Sequence, residues 1–243
     1  MIGAMILAAG VGQRMRPLSD TCPKPLLEVG GKPLIVWQIE ALARAGWREI
    51  VINAAHLADQ LIAQLGDGRD FGVRLRWSRE AEPLEAAGGI VTALPLLPPG
   101  PALIISGDLW TGYDYASLLP RAGAMAGDQA SSRVHLVMVP NPPYHPVGDF
   151  VLKETGNGAR TLALDESPRL TYGNIGLYDT SLFAKLPAGA KLKLSPLLND
   201  WITRGLVSGE RFDGPWANVG TPADLAQLDT ELRQNGSTTS ERT

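Results

Sequence analysis

Apolar runs alternate with amphipathic segments through the first half of the chain. The apolar runs, together with one stretch of period-two alternation, predict strands at residues 4–9, 49–53, 73–77 and 102–106. Between them, apolar residues at helical spacing predict helices at residues 33–45, 57–65 and 88–97. Because strands that alternate with helices form parallel sheets with crossover helices, this half of the chain predicts an open α/β sheet.

The second half of the chain has a less regular pattern. Strands are predicted at residues 134–139, 149–153, 161–164 and 173–178. Helices are predicted at residues 195–203 and 223–233. The start of each is marked by a Ser or Thr followed by a Pro. The polar residues 235–243 predict a disordered tail. We therefore predict a single domain over residues 1–234.

The stretch that follows the first predicted strand carries the most chemistry. Its residues are Leu7, Ala8, Ala9, Gly10, Gly12, Gln13 and Arg14, followed by Arg16 and by Lys24 between two prolines. Glycine lets main-chain N–H groups approach an anion, and the cations add fixed positive charge, so the stretch predicts a polyphosphate-binding loop. The alternative is a surface turn, which does not require the three cations. The spacing fits neither a Walker loop nor a dinucleotide fingerprint, because Arg14, Met15 and Pro17 follow Gly12.

Composition and charge exclude some classes of protein. The 243 residues include 22 Lys and Arg against 25 Asp and Glu, a net charge of −3, which is not the basic balance of a protein that binds long nucleic acids. The single cysteine, Cys22, cannot form an intramolecular disulfide and is typical of a reducing compartment. No apolar run approaches the ~20 residues that span a membrane. We expect a soluble, cytoplasmic protein, and the sequence indicates no oligomeric state.

The glycine-rich stretch resembles a known family signature. Leu7-Ala8-Ala9-Gly10-x-Gly12-x-Arg14-Met15-x-Pro17, followed by Pro23-Lys24-Pro25, is similar to that of the sugar-1-phosphate nucleotidyltransferases, which join a nucleoside triphosphate to a sugar 1-phosphate. The resemblance covers residues 4 to about 232. It implies a Rossmann-like three-layer αβα sandwich with a mixed, mostly parallel sheet, in which residues 1–110 bind the nucleotide and residues 111–234 bind the sugar.

The resemblance also implies roles for individual residues of the loop. Arg14 and Lys24 are expected to be catalytic, with Arg14 on the leaving pyrophosphate and Lys24 on the phosphates at the reacting centre. The nucleotide is expected on residues 7–10, 12 and 13 as well as on Arg14. The substrates are UTP, or another nucleoside triphosphate, and a sugar 1-phosphate.

A divalent metal ion, Mg²⁺, is expected on two positions. Asp108 ends the Ser106-Gly107-Asp108 run after a central strand, where open α/β sheets place their ligands, and it matches a metal-binding Asp of the family. The family has a second Asp in a late Trp-x-Asp-x-Gly-Thr element, at which this chain has Asn218. An amide oxygen can bind Mg²⁺ but brings no charge, so a tighter dependence on the nucleotide, a weaker metal affinity or a different ligand at this corner are all open.

Further positions match the family's base and sugar segments. Glu82 and Gly88 are expected near the nucleoside or the sugar, and Glu85 is the poorer candidate. The sugar phosphate is expected at Asp108, Gly148, Glu166, Asn174 and Gly176. Many relatives have a phosphate-binding lysine where this chain has Ser167, so Lys193 is the predicted substitute; the alternative is a charge at a helix entrance.

The motifs favour one type of substrate within the family. The run from Glu82 to Ile90, together with Gly107-Asp108 and Gly148-Asp149-Phe150, resembles uridylyltransferases that use UTP and an amino-sugar 1-phosphate. Two alternatives remain. One is a glucose- or mannose-1-phosphate nucleotidyltransferase that uses UTP, dTTP or GTP, and the other is a catalytically silent nucleotide-sugar-binding regulator, which Asn218 favours.

Overall fold

The structure is a computed structural model. It describes residues 2–127, 130, 132–155 and 160–240, with side chains up to residue 234. The strands are β1 Gly3–Leu7, β2 Glu28–Val29, β3 Lys32–Pro33, β4 Glu49–Ala54, β5 Arg74–Arg79, β6 Pro101–Ser106, β7 Leu109–Thr111, β8 Val134–Val139, β9 Val151–Glu154, β10 Arg160–Ala163, β11 Thr171–Asp179, β12 Val207–Arg211 and β13 Trp216–Asn218. The α-helices are α1 Leu18–Thr21, α2 Leu34–Arg44, α3 Ala58–Leu65, α4 Glu85–Ala93, α5 Leu119–Ala126, α6 Leu194–Thr203 and α7 Pro222–Ser240. Single 3-10 turns lie at Gln13–Met15, Lys24–Leu26, Arg69–Phe71, Leu94–Leu96, Tyr115–Leu118 and Thr180–Phe183.

Nine strands form one mixed sheet in the order β5-β4-β1-β6-β11-β8-β12-β10-β9. The pairings make seven of these described strands point the same way, and β10 and β11 run against them. The chain passes from β1 to β4 on one side and later to β6 on the other. The carboxyl ends of β1 and β6, where Leu7 lies opposite Ser106, therefore form the switch point at which such sheets bind ligands.

Helices cover both faces of the sheet. Ala4 and Ile6 of β1 pack on one face against apolar residues of α2 and α3, whereas Met5 packs on the other face with apolar residues of α4 and α6. All three side chains are fully buried, as alternation along a central strand requires. The structure is thus the predicted three-layer αβα sandwich with a mixed, mostly parallel sheet.

The C-terminal helix packs beside the glycine-rich loop. A small separate core joins Met15 of the loop to Val29 of β2 and Leu228 of α7. The main-chain amide of Gly30, in the turn between β2 and β3, donates to the Asp229 carboxylate over 2.8 Å. The last helix thereby helps to fix the loop on which the candidate chemistry depends.

The predicted elements are present, with some shifted ends. The helix predicted at residues 88–97 begins at Glu85 and ends as an α-helix at Ala93, before the 3-10 turn at Leu94–Leu96, which contains a proline. Inside the helix, Gly88 lies against the main chain of Ala190, and Gly89 lies against the side chains of Asn53 and Glu80. The last helix continues to Ser240 through part of the predicted tail, since extending a formed helix costs less than starting one. Residues 241–243 of that tail lie outside the described residues. None of the described helices is both long and apolar enough to span a membrane.

Candidate active site

A cavity of about 740 Å³ opens at the carboxyl ends of β1 and β6. It lies at the switch point of the sheet, so residues from both halves of the sheet reach it. Many of the predicted site residues line it, namely Leu7, Ala8, Ala9, Gly10, Gly12, Gln13, Arg14, Lys24, Asp108 and Asn174. The cavity brings together the glycine-rich loop, the candidate metal residue Asp108 and part of the predicted sugar side.

The glycine-rich loop has a fixed conformation around Gly12. Gly12 adopts the left-handed conformation, with φ at +67°, and a Cβ there would lie 3.2 Å from the Cβ atoms of Lys24 and Ser19. The Ser19 hydroxyl and the Met15 amide both donate to the Gly12 carbonyl, over 2.7 and 2.8 Å. The loop is therefore held closely against Lys24.

Arg14 lies over the start of the last helix. Its guanidinium passes Gly220, where a Cβ would lie 3.3 Å from Nη2, so a larger residue would displace it. The Asp224 carboxylate accepts from the amides of Gly220 and Thr221 over 3.0 and 2.8 Å and thereby caps α7. Arg14 itself is exposed and makes no ion pair with the residues that the structure describes, which leaves it available for an anion.

Arg16 does not share this position. It pairs with Asp20 over 3.1 Å on the surface and does not line the cavity. The loop thus presents Arg14, and not Arg16, to a ligand.

Lys24 and Asp108 meet across the cavity. The Lys24 ammonium pairs with Oδ2 of Asp108, and the Ser106 hydroxyl donates to Oδ1 over 2.5 Å. The Lys24 side chain is only 12% exposed, because the proline-flanked turn and the Gly12 loop enclose it. The sheet therefore places one cation and one carboxylate where the loop and β6 converge.

Asn218 lies at the same corner as Asp108. Strand β13 pairs with β7 so that Asn218 is opposite Leu109, and the amide of Val219 donates to the Asp108 carbonyl over 3.0 Å. The Asn218 side-chain oxygen is buried and makes no hydrogen bond to any described residue. A buried oxygen without a donor, one residue from the main-chain bond to Asp108, fits a hard divalent cation, which prefers oxygen ligands. The described residues contain no cluster of three or more His, Cys, Asp or Glu that would form an alternative metal site.

Tyr144, in the loop after β8, covers this corner from outside. Burial and the nearby carboxylates of Asp224 and Asp108 raise the pKa of its hydroxyl, whereas Asn218 and Arg14 act in the opposite direction. Tyr144 is 60% exposed and lines a second cavity. Sequence reasoning missed this residue, because a tyrosine in a proline-rich loop carries no local signal of a site.

A buried polar network supports the loop from beneath. Asn53 at the end of β4 accepts from the Ala8 amide over 2.8 Å and donates to Oε1 of Glu80 over 2.6 Å. The other carboxylate oxygen of Glu80 accepts from the Leu84 amide over 3.0 Å. Asn53 and Glu80 are only 3% and 8% exposed, and both line the cavity. The network links the glycine loop to the entry of α4, and the sequence analysis did not identify either residue.

The entry of α4 forms a wall of the cavity, but not through the predicted residues. Glu82 is exposed to solvent and does not line the cavity, whereas Glu85, with a left-handed φ of 62°, does. Gly88 is buried, and its amide donates to the Leu192 carbonyl over 3.1 Å. Its missing side chain therefore makes room for main chain rather than for a ligand, so neither Glu82 nor Gly88 contributes to the cavity as predicted.

A second cavity, of about 260 Å³, adjoins the first. It is lined by Tyr144, His145, Asp149, Phe150, Thr171, Tyr172, Asn174, Ser195, Leu198, Trp216 and Asn218. Tyr172 and Asn174 line both cavities. Asn174 has a left-handed φ of 54° at the register shift between β11 and β8, which presents its side chain at the junction.

Four predicted sugar residues lie outside both cavities. Gly148 occupies a tight turn against Asn141 and Arg169, and Gly176 is packed inside the sheet below Tyr178. Glu166 is on the surface in an ion pair with Lys153. Lys193 is exposed just before α6, and Lys191 lines the large cavity instead. The family's motif order does not determine which side chains of these segments point inward.

Comparisons with known proteins agree with this arrangement. Residues 3–235 match the model of the nucleotidyl transferase family. The chain is 43% identical over 225 residues to the N-acetylmuramate alpha-1-phosphate uridylyltransferase of Neisseria meningitidis, covering 92% of this chain and 95% of that protein. The enzyme of the same name from Caulobacter vibrioides is 33% identical over 95% of this chain and 96% of its own length.

Solved structures match the fold at low sequence identity. A Bacillus anthracis protein crystallised with sucrose superposes with a TM-score of 0.81 at 19% identity, covering 96% of each chain. Yersinia pseudotuberculosis HddC in complex with GMP-PN superposes with a TM-score of 0.72 at 18% identity, covering 96% of this chain and all of that one. The family model and the two relatives show the family as well as the fold. The chain belongs to the nucleotidyl transferase family and is a sugar-1-phosphate nucleotidyltransferase, as its motifs predicted.

Proposed function

We propose that the protein transfers UMP from UTP to N-acetylmuramate α-1-phosphate and forms UDP-N-acetylmuramate and pyrophosphate. The observation that carries this proposal is the 43% identity, over almost the full length of both chains, to a relative named for that reaction. The geometry supports it, since one cavity contains the polyphosphate loop and adjoins a second cavity on the sugar side.

Nucleotidyl transfer mainly requires that two anions, the sugar phosphate and UTP, be held close together in the correct orientation. An oxygen of the sugar phosphate attacks the α-phosphorus of UTP in line with the departing pyrophosphate, so no covalent nucleophile is needed. Arg14, which has no ion-pair partner among the described residues, stabilises the charge that develops on the pyrophosphate. Lys24 exchanges its contact with Asp108 for the phosphates that meet at the reacting centre, with the loop amides around Gly12 behind them.

Mg²⁺ is the cofactor of this proposal, and Asp108 and Asn218 are the residues that would hold it. When bound there, Mg²⁺ would neutralise negative charge on the phosphates and orient their oxygens. The unpartnered oxygen of Asn218 supports this role, because it lies at the corner that the Asp108 main chain shares with β13. Asn174, at the junction of the cavities, is placed to contact the sugar.

N-acetylmuramate is a cell-wall sugar, so we further propose a cytoplasmic role in peptidoglycan recycling. Two other functions have specific support. Relatives 26% identical are named mannose-1-phosphate guanylyltransferase and UTP–glucose-1-phosphate uridylyltransferase, which keeps other sugars and bases as candidates. Asn218 in place of a carboxylate favours a nucleotide-sugar-binding protein without turnover.

Pyrophosphate release distinguishes these candidates. The purified protein is assayed with UTP, dTTP and GTP, each paired with the 1-phosphates of N-acetylmuramate, N-acetylglucosamine, glucose and mannose. The proposal expects the highest kcat/KM for UTP with N-acetylmuramate α-1-phosphate. A higher value for glucose or mannose 1-phosphate contradicts the substrate assignment, and binding without any pyrophosphate release indicates the silent regulator.

A further inference from the structure

Lys191 lies on the wall of the large cavity, in the segment that leads into α6. Neighbouring lining residues include Leu194 from the start of that helix. Tyr172 and Asn174, which line both cavities, belong to the same lining. After Leu194, the next residues along the chain that line a cavity are Ser195 and Leu198, which line the second cavity, so Lys191 lies in the segment that runs from one cavity to the other.

The main chain on the carboxyl side of Lys191 is firmly held. The Leu192 amide donates to the Leu84 carbonyl over 3.0 Å, and the Leu192 carbonyl accepts from the amides of Ala87 and Gly88 over 3.0 and 3.1 Å. These three bonds join the segment to the first turn of α4, where Gly88 has no side chain to keep it away. The long side chain is exposed, but the point from which it projects is fixed.

The charge of Lys191 is not neutralised within the part of the chain that the structure describes. It makes no ion pair or hydrogen bond there, whereas Lys24 pairs with Asp108 and Lys153 pairs with Glu166. The polyphosphate end of the cavity already has Arg14 and Lys24. A third cation on the wall next to the second cavity is consequently available to a different anion.

We propose that Lys191 binds an anionic group of the sugar substrate, and this inference rests on the proposed function. N-acetylmuramate α-1-phosphate carries two such groups, its phosphate and the carboxylate of its lactyl ether. A lysine ammonium is a compact charge on a flexible stem and can donate to oxygens of either group. Lys191 thereby takes the role that the sequence predicted for Lys193.

The test compares Lys191→Gln with two matched controls, Lys193→Gln and Lys185→Gln, which remove the same charge from exposed positions outside both cavities. Binding of N-acetylmuramate α-1-phosphate is measured by calorimetry with a non-hydrolysable UTP analogue already bound. Lys191→Gln is expected to raise the Kd of the sugar phosphate about 10-fold, with the Kd of the UTP analogue changed less than about twofold. Both controls are expected to keep the parental Kd values within about twofold.

A second ligand identifies the anionic group. N-acetylglucosamine 1-phosphate has the phosphate but lacks the lactyl carboxylate. Equal weakening for both sugars assigns Lys191 to the phosphate, and weakening for N-acetylmuramate α-1-phosphate alone assigns it to the carboxylate. The inference is overturned if Lys191→Gln binds the sugar phosphate like the parent, if Lys193→Gln is the variant that loses affinity, or if the UTP analogue is weakened as much as the sugar.

The proposed function is judged separately, on the pyrophosphate released by the parent protein. If the parent releases none but binds the sugar phosphate in a Lys191-dependent manner, the proposed function fails and the binding role stands. If the parent binds no sugar phosphate at all, both are overturned.

Discussion

Asp108 and Val219, which lie just before β7 and just after β13, are joined by a main-chain hydrogen bond of 3.0 Å although they are far apart in the sequence. The bond extends the short pairing of β7 with β13, which brings the residue before Val219, Asn218, to the corner formed by Asp108. The side-chain oxygen of Asn218 is buried there without a donor among the described residues. An amide thus occupies a position at which a second carboxylate would add a full negative charge.

Asn218→Asp is expected to strengthen metal binding. The added charge beside Asp108 increases the attraction for a divalent cation, so the Mg²⁺ concentration for half-maximal pyrophosphate release falls about tenfold. The measurement is a Mg²⁺ titration of turnover, together with direct Mn²⁺ binding followed by electron paramagnetic resonance. Asn199→Asp, an exposed substitution on α6, adds the same charge elsewhere and serves as the control. An unchanged Mg²⁺ requirement in Asn218→Asp would remove Asn218 from the proposed metal site.

Glu80→Ala is expected to destabilise the protein. It leaves the Leu84 amide and the Asn53 side chain without their acceptor in a buried network, which costs about 1–3 kcal/mol of the free energy of unfolding. The KM for UTP rises as well, because Asn53 holds the Ala8 amide of the glycine loop. Urea unfolding and steady-state kinetics measure the two effects.

Glu82→Ala is the matched control for Glu80, since it removes the same side chain from an exposed position two residues away. It is expected to change the free energy of unfolding by less than about 0.5 kcal/mol. Equal losses in the two variants would show that the buried network contributes nothing specific.

Acidification is expected to destabilise the fold through His135. This side chain is 1% exposed and contacts Ser208 and Glu210 over 2.9 and 3.1 Å, and burial lowers its pKa below the usual 6.5, against the opposing effect of Glu210. Below about pH 6.5 the unfolded chain therefore takes up a proton that the folded chain does not, so the free energy of unfolding falls as the pH falls.

Glu210 acts in the same direction at lower pH. Its hydrogen bond to His135 is the main cause that lowers its pKa below the usual 4.5, so its contribution is present above that value and is lost as the pH falls through the lower folded pKa. Unfolding by urea at a series of pH values measures the combined slope. His135→Asn is expected to flatten it between pH 6.5 and 4.5, and an unaltered slope in this variant would contradict the assignment.

The main elements of the sheet were predictable because their patterns are local. The predicted strand at residues 134–139 matches β8, and each of the four strands predicted in the first half differs from the structure by no more than two residues at either end. The pairs β2–β3 and β7–β13 were missed, since strands of two or three residues have too short a pattern to recognise. Their formation depends on partners elsewhere in the chain.

The site residues that could be predicted from the sequence are those that belong to one contiguous motif. The loop from Leu7 to Arg14, with Lys24, lines the cavity, because its glycines and prolines set the local backbone. Lys191 and Lys193 are alike in sequence and both flank Leu192, which is hydrogen-bonded to α4, yet Lys191 lines the cavity and Lys193 does not. Glu80 was not recognised, because its burial depends on Asn53 and Leu84 and not on its neighbours in the chain.

The most direct test of the proposed reaction is the rate of pyrophosphate release from UTP and N-acetylmuramate α-1-phosphate by the parent, Arg14→Ala and Lys24→Ala. Both side chains are proposed to bind the phosphates in the transition state, so each variant is expected to lose about 100-fold or more in kcat/KM while its circular dichroism and unfolding midpoint show an intact fold. Folded variants that retain turnover within about threefold of the parent would contradict the account, because they would show that the glycine-rich loop does not perform the chemistry.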